Sequence, residues 1–424
     1  MRWVPLLPVM AVTLAAQLPA QTDRARERRV QDDVNYLASD ALRGRRTCTA
    51  ENDSAAVWLG RRLRSVRAEP AADSGGYLQR WVTGNTSGTR QAGIAECPTA
   101  NVVAMYPGRG ALSGQVVIVG AHFDHLGIGR FGSLAQDTTQ IHNGADDNAS
   151  GTALVLELAR LLQRDRSLRD MRPRRTVVLA LWSGEEQGAL GSAWFANNMP
   201  VPRDSVVAYL NFDMVGRMRE AKVMALGART AEEWPALLDS ANVAARFDLR
   251  ASGDGWGPSD HASFYAKRIP VLHFFTDLHE DYHRPSDDAD RINARGIVQL
   301  ADFAMTLLRR LDQTPRLTFV DVPPPAPVAT APSGRPRPSL GTIPDMSSEP
   351  GGVLLSGVRP GSAADSAGMR AGDVLIGLGT HTITSLQDFQ NALVAHAAGD
   401  RVEVRYRRGT ETIAVMVTLG GRAN

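Results

Sequence analysis

Side chains able to bind metals or move protons recur where apolar runs of this sequence end. The run at 115–120 leads into Ala121-His122-Phe123-Asp124-His125. If the extended backbone persists there, His122 and Asp124 face one side, and the carboxylate can orient an imidazole that binds a metal. Next comes Asn143-Gly144-Ala145-Asp146-Asp147-Asn148-Ala149-Ser150-Gly151, directly before an apolar helical stretch. Asp and Asn cap helices, which is reason enough for them at such a place. Two adjacent acids also repel, and a divalent cation would relieve that repulsion. The apolar run at 176–182 ends in Ser183-Gly184-Glu185-Glu186. Paired glutamates at the mouth of a buried strand are costly to desolvate without a counter-charge; one can ligate a metal while its neighbour handles protons. The run at 206–212 is followed by Asp213, and Tyr282-His283 follows the run at 270–275. Together these segments supply two imidazoles and three carboxylates, a set that fits two zinc ions sharing one ligand with room left for water.

The elements that must position these residues read as an α/β domain. The runs at 115–120, 176–182, 206–212 and 270–275 are continuous and apolar, as strands buried on both faces are. Helical spacing appears at 30–42, 51–66, 151–163, 232–244 and 295–311. The expectation is a mixed, largely parallel β-sheet flanked by helices on both faces, with the polar residues gathered at the strand ends.

Composition sets the outer limits. With 424 residues, 43% hydrophobic and 22% charged, the chain has the make-up of a soluble protein of more than one domain. Forty-seven basic against 45 acidic residues leave a net charge of +2, which gives no electrostatic case for nucleic acid. Lys222 and Lys267 are the only lysines. Arg2 precedes an apolar run from Val4 to about Leu18, with small residues near Ala20, so residues 1–20 read as a signal peptide and the chain as exported, periplasmic or secreted in a bacterium, with no stable membrane insertion after cleavage. The two cysteines, Cys48 and Cys97, lack metal-site spacing and could form one disulfide in an oxidising compartment. Residues 21–315 form the first domain, 316–338 a Pro-rich extended linker, and 339–421 a second, β-rich domain with a helix at about 386–397.

From residue 37 to 311 the sequence resembles the M28 family of metallopeptidases, on His122-Phe123-Asp124, Gly144-Ala145-Asp146-Asp147, Glu185-Glu186, Asp213 and His283, with Ser259-Asp260-His261 before the last strand. The resemblance implies two zinc ions per chain. Asp146 would bridge them, His122 and Asp213 would complete one site, and Glu186 and His283 the other. It further implies Glu185 as general base, Tyr282 as oxyanion stabiliser, and Asp124 and Asp147 as supports of the ligands, Asp147 following a strained Asp-Asp peptide. His125, His142, His273 and His279 receive no role. Between Trp81 and Asn101 there is space only for a short loop, which excludes an inserted protease-associated domain.

Residues 339–419 resemble a bacterial PDZ domain, on Leu340-Gly341-Thr342-Ile343, Val358-Arg359-Pro360-Gly361-Ser362-Ala363-Ala364 and Ala367-Gly368-Met369-Arg370-Ala371-Gly372-Asp373-Val374-Leu375. In such a domain Leu340, Gly341, Thr342 and Ile343 would hold a C-terminal peptide, its carboxylate on exposed backbone amides and its chain added as a strand. The combined expectation is an aminopeptidase acting on peptides with a free N-terminus. The alternatives are a glutaminyl cyclase, a carboxypeptidase, or an inactive enzyme that only binds peptides.

Overall fold

The structure is a computed structural model that describes residues 11–72, 75–137, 139–167, 172–322, 337–345 and 351–422. The first half of the expected signal segment and residues 323–336 of the expected linker lie outside these. No helix of the described residues is long and apolar enough to cross a membrane.

The first domain is built on a nine-stranded sheet. Its strands are β1 (Glu69–Pro70), β2 (Leu78–Val82), β3 (Pro98–Tyr106), β4 (Val116–His122), β5 (Thr176–Trp182), β6 (Val206–Phe212), β7 (Lys222–Leu226), β8 (Asp248–Ser252) and β9 (Val271–Phe275). The order is β1-β3-β5-β4-β6-β9-β7-β8, with β2 also on β3. The central strands β5, β4, β6 and β9 run parallel, while β3 and β7 join them antiparallel. Every residue of β4, β5 and β6 is buried, which is why the three read as unbroken apolar runs.

Alternate side chains of these strands feed two cores. Val117, Val119, Ala121, Leu179, Leu181, Leu210 and Phe212 pack under helices α1 (Ala11–Leu37), α2 (Ala50–Ser65), α3 (Gly151–Ser167), α4 (Trp234–Ala245) and α5 (Ala294–Leu311). Ile118, Val178, Ala180, Trp182 and Tyr209 face the other way, onto Phe195 and Phe264. Helix α1 runs through the expected cleavage point at residue 20 and buries Val30, Val34 and Leu37, one helical face. It is also held by charge: Arg26 places Nε 2.7 Å from Glu157 on α3 and Nη2 2.7 Å from Asp302 on α5. Cys48 and Cys97 pair in a disulfide, their Cα atoms 6.0 Å apart, fastening the start of α2 to the start of β3.

The expected linker begins later than residue 316. Leu317 sits in the main core, Phe319 and Val322 pack on the second one, and Val320 donates its amide to Thr230 O at 2.9 Å. The apolar residues that alternate through this stretch are too short a run to read as packed by sequence alone.

The second domain has strands β10 (Thr342–Pro344), β11 (Val353–Val358), β12 (Val374–Leu378), β13 (Arg401–Arg408) and β14 (Glu411–Thr418), antiparallel in that order, with helix α6 at Leu386–Val394. Its separate core holds Leu340, Val353, Leu355, Leu375, Phe389 and Val404.

Candidate metal centre

Three strand ends and two loops converge at one edge of the sheet. His122, the last residue of β4 and 1% exposed, points Nε2 at Asp147 Oδ1 and Asp213 Oδ1, 3.3 Å from each, with Glu185 Oε2 at 3.9 Å. Its Nδ1 faces the Asp124 main-chain oxygen at 3.2 Å and the Asp124 carboxylate at 3.8 Å. His283 points Nε2 at Asp147 Oδ2, 3.1 Å away, and at Glu186 Oε2, 3.3 Å away, while its Nδ1 lies 2.8 Å from Gly132 O. In both histidines a backbone carbonyl takes the Nδ1 side, so Nε2 is the nitrogen offered to the cluster.

The two oxygens of Asp147 therefore face two poles, one with His122 and Asp213, the other with His283 and Glu186. His125 joins the second pole, its Nδ1 2.6 Å from Glu186 Oε1 and 3.9 Å from Asp147 Oδ2. Donor atoms of His122, Asp147 and Asp213 lie mutually within 4.8 Å, as do those of His125, Asp147 and Glu186.

Asp146, expected between the poles, is not there. Its Oδ1 accepts the Gly216 amide at 2.6 Å and its Oδ2 lies 3.1 Å from His279 Nε2, inside the protein. The backbone decides which of the two adjacent residues faces the cluster. The Asp287 carboxylate accepts the amides of Asp146 and Asp147 at 3.0 and 3.1 Å, and Asp147 has left the helical region, with φ −105° and ψ 91°. A cis peptide bond lies at Asp147-Asn148, one residue after the Asp-Asp peptide that the resemblance marks as strained. Gly144, with φ +58°, makes the turn possible: a Cβ there would meet Asp147 O at 2.2 Å and the His125 ring at 2.3 Å.

The remaining expected residues take these places. Asp124 accepts the Glu185 amide at 3.1 Å and the Thr47 hydroxyl at 3.1 Å, so it ties the β4 end to the Glu185 loop. Ser259 Oγ donates to Asp213 Oδ2 at 2.7 Å and in turn accepts from Asn211 Nδ2 at 2.9 Å. Tyr282 stacks on His283 with ring centres 3.9 Å apart and lines the cavity. His273 and His261 stack on each other at 4.6 Å, and His142 Nε2 lies 2.8 Å from the Ser133 hydroxyl.

Two participants escaped the sequence reading. The alternation used for His122 and Asp124 stops with the strand at His122, which frees His125 to turn inward; a third ionisable group within four residues was its only signal. Arg45 carried no signal at all. Its fully buried guanidinium donates to the main-chain oxygens of Phe123 at 2.5 Å, Leu37 at 3.0 Å, Gly144 at 2.7 Å and Asn143, clamping the two loops that carry His125 and Asp147. Burial draws its pKa down to about 10, against the pull of Asp124 and Asp147, so it stays charged at neutral pH. Arg45→Met strips four buried carbonyls of their donor. The expected result is a loss of roughly 3 kcal/mol or more in unfolding free energy together with weaker zinc retention, read by denaturant titration and chelator competition; no change in either would remove Arg45 as organiser of the loops.

The electrostatics suit cations. Among the described residues no Lys or Arg nitrogen pairs with Asp147, Glu185, Glu186 or Asp213; their ion-pair partners are imidazoles. Burial works against charge on His122 and His283, yet Asp213 and Glu185 around the first, and Glu186 and Asp147 around the second, hold both well above the usual histidine value. Burial pushes the Glu185 carboxyl well up, while the imidazoles outweigh burial at Glu186 and bring it to about 2. A buried surplus of carboxylates that captures protons on its histidines is a donor set suited to divalent ions, and imidazole with carboxylate is a zinc-binding combination.

Comparison with known proteins identifies the family and the fold. Residues 101–308 match peptidase family M28 and residues 338–419 match a PDZ domain. The chain is 29% identical over 247 residues to the uncharacterized protein YfbL of Escherichia coli (strain K12), covering 50% of this chain and 71% of that protein. It is 29% identical over 224 residues to leucine aminopeptidase 1 of Uncinocarpus reesii, covering 50% of this chain but only about half, 54%, of that relative. Among solved structures, a zinc aminopeptidase from Bacillus subtilis superposes with a TM-score of 0.51 at 15% identity, over 67% of this chain and 94% of that one. A Porphyromonas gingivalis glutaminyl cyclase gives 0.54 at 19% identity, over 68% and 98%. At such identities the two structures speak to the fold alone.

Proposed function

With residues 101–308 belonging to the M28 metallopeptidases and residues 338–419 forming a PDZ domain, we propose that the chain is an exported dinuclear zinc aminopeptidase that releases N-terminal residues from peptides. The observation that carries this is Asp147, whose two carboxylate oxygens serve two opposed donor sets. His122, Asp147 and Asp213 would hold one ion; His283, Glu186 and Asp147 would hold the other, with His125 on Glu186. Two zinc ions in such a site supply Lewis-acid polarisation of the scissile carbonyl and make a water more acidic.

The chain's own residues do the rest. Glu185 projects from the loop after β5 into the cavity, where its carboxylate takes the proton of the attacking water and returns it to the leaving amine. The hydrogen bond that its main-chain N–H donates to Asp124 fixes the loop while the carboxylate stays free for that transfer. Tyr282 lines the same cavity, and its hydroxyl would donate to the developing oxyanion. The surplus of carboxylates suits a substrate's free ammonium group. Met214, Leu226, Phe275 and Leu278 give the cavity, about 910 Å³, an apolar wall that favours a large apolar N-terminal side chain. The Cys48–Cys97 disulfide supports an oxidising compartment, in keeping with export.

Zinc analysis and turnover test this reading together. The expected result is two zinc ions per chain, release of amino acids from unblocked dipeptides, and none from their N-acetylated forms. Peptides beginning with Gln should be shortened; ammonia release without shortening would make the protein a cyclase, and a metal-free protein without turnover would leave only peptide binding.

A further inference from the structure

The cavity over the metal centre is completed by the second domain. Asp345, Thr384, Ser385 and Gln390 line it together with Asp147, Glu185, Glu186 and His283. The two domains are fastened beside it. Lys222, at the start of β7, places Nζ 3.0 Å from Asp277 and 2.6 Å from Asp345, and the Ser356 hydroxyl on β11 donates to the same Asp277 carboxylate at 3.1 Å.

The orientation this imposes has a direction. Strand β10 is the outer strand of its sheet, bonded to β11 on one side. It starts at the Leu340-Gly341 turn, where Gly341 has φ +80° and a Cβ would meet the Ser362 side chain at 2.2 Å. It ends at Pro344, next to Asp345 in the cavity wall. Helix α6 likewise begins at the cavity, its N-cap Ser385 being one of the lining residues. A peptide whose carboxylate sits on the backbone amides of the turn can use β10 in one direction only. It lies antiparallel to β10, so its residues further from the C-terminus pass Pro344 and Asp345 and its free amino end enters the cavity that holds Glu185.

We propose that the PDZ groove and the metal centre engage one and the same molecule: the substrate is a short peptide held by its C-terminal carboxylate at 340–342 while its N-terminal residue is removed. This rests on the peptidase reading above and adds the substrate class to it. The two sites act as one divalent binder, so affinity depends on a chain length that spans both. Each residue in an extended strand adds about 3.3 Å, and every cut shortens the tether by one residue. Processing therefore slows when the product no longer reaches. The same polarity disfavours carboxypeptidase action, because a substrate bound in this groove keeps its C-terminus at the far end.

The test uses the intact zinc-loaded protein and a ladder of peptides sharing the same first two residues, from two to about ten residues long, each as free acid and as C-terminal amide. At the length that spans both sites, amidation should raise KM about tenfold or more, the usual worth of hydrogen bonds to a charged group, with kcat nearly unchanged. Shorter members should be indifferent to amidation beyond the dipeptide, and kcat/KM should fall on either side of the optimum. Glu185→Gln protein titrated with the fluorescently labelled optimal peptide should show the same preference for acid over amide in Kd. Equal constants for acid and amide at every length, with dipeptides still cleaved, overturn the two-ended reading alone. No cleavage of any member overturns the peptidase reading and this one with it.

Discussion

Glu185→Gln yields a folded protein that keeps its zinc and loses between about 10²- and 10⁴-fold in kcat, the range spanned by removal of a general acid-base group. The amide matches the carboxylate in shape, so the hydrogen bond from the main-chain N–H of residue 185 to Asp124 and the loop after β5 are undisturbed. What it cannot do is take a proton from water. Glu185 lies 3.9 Å from the nearest His122 nitrogen, whereas Glu186 approaches two imidazoles at 2.6 and 3.3 Å, so the first is the less committed of the pair. Zinc stoichiometry should remain at two and KM should move little. Full activity in this variant would remove the assigned base. Loss of zinc with activity would instead make Glu185 a ligand.

The second large effect separates two neighbours. Asp147→Asn should release zinc from both poles, because its Oδ1 and Oδ2 each complete a different donor set. Activity should fall by about three orders of magnitude or more, as for removal of a group on which the whole constellation depends. Asp146→Asn should do something else. Asp146 holds the Gly216 amide and the His279 ring, so its loss should lower the thermal midpoint and weaken zinc binding by no more than about 10- to 100-fold, the effect typical of a residue behind the ligands. Zinc stoichiometry at saturation and differential scanning calorimetry on both variants distinguish the two. If Asp146→Asn empties the site while Asp147→Asn keeps it filled, the bridge has been assigned to the wrong residue.

Much of this was written in the sequence. The strands at 176–182 and 206–212 have the boundaries that their apolar runs mark, since a strand buried on both faces is almost wholly apolar, Asn211 apart, and its ends are visible where charged and small polar residues return. Helices α3, α4 and α5 follow their periodicity to within a residue or two at the N-terminal end, and a chemistry-capable residue at each strand end already announced a metal site. Strands β3, β7 and β8 were not legible. β3 contains Thr99 and Asn101, buried polar residues that break the apolar run; Asn101 is satisfied by Gln79, the Ser183 amide and the Gly191 carbonyl, 22, 82 and 90 positions away. Strand β8 is mostly exposed at the sheet edge and carries no apolar run.

The sequence by itself determined which residue types gather, and from which segments. Only the tertiary structure decided which atoms face each other. Asp146 and Asp147 are chemically identical neighbours, and the choice between them was made by Asp287, some 140 positions away, which pins both amides and so rotates one carboxylate inward and the other outward. His125 entered the cluster because the strand stops at His122, and Arg45 became its clamp because four carbonyls, from two loops and the end of α1, meet around one guanidinium. The direction in which the second domain faces the cavity came from Lys222 meeting Asp277 and Asp345. Periodicity and composition are local properties of a chain, whereas an orientation or a ligand set is fixed by contacts between residues that only folding brings within a few ångströms.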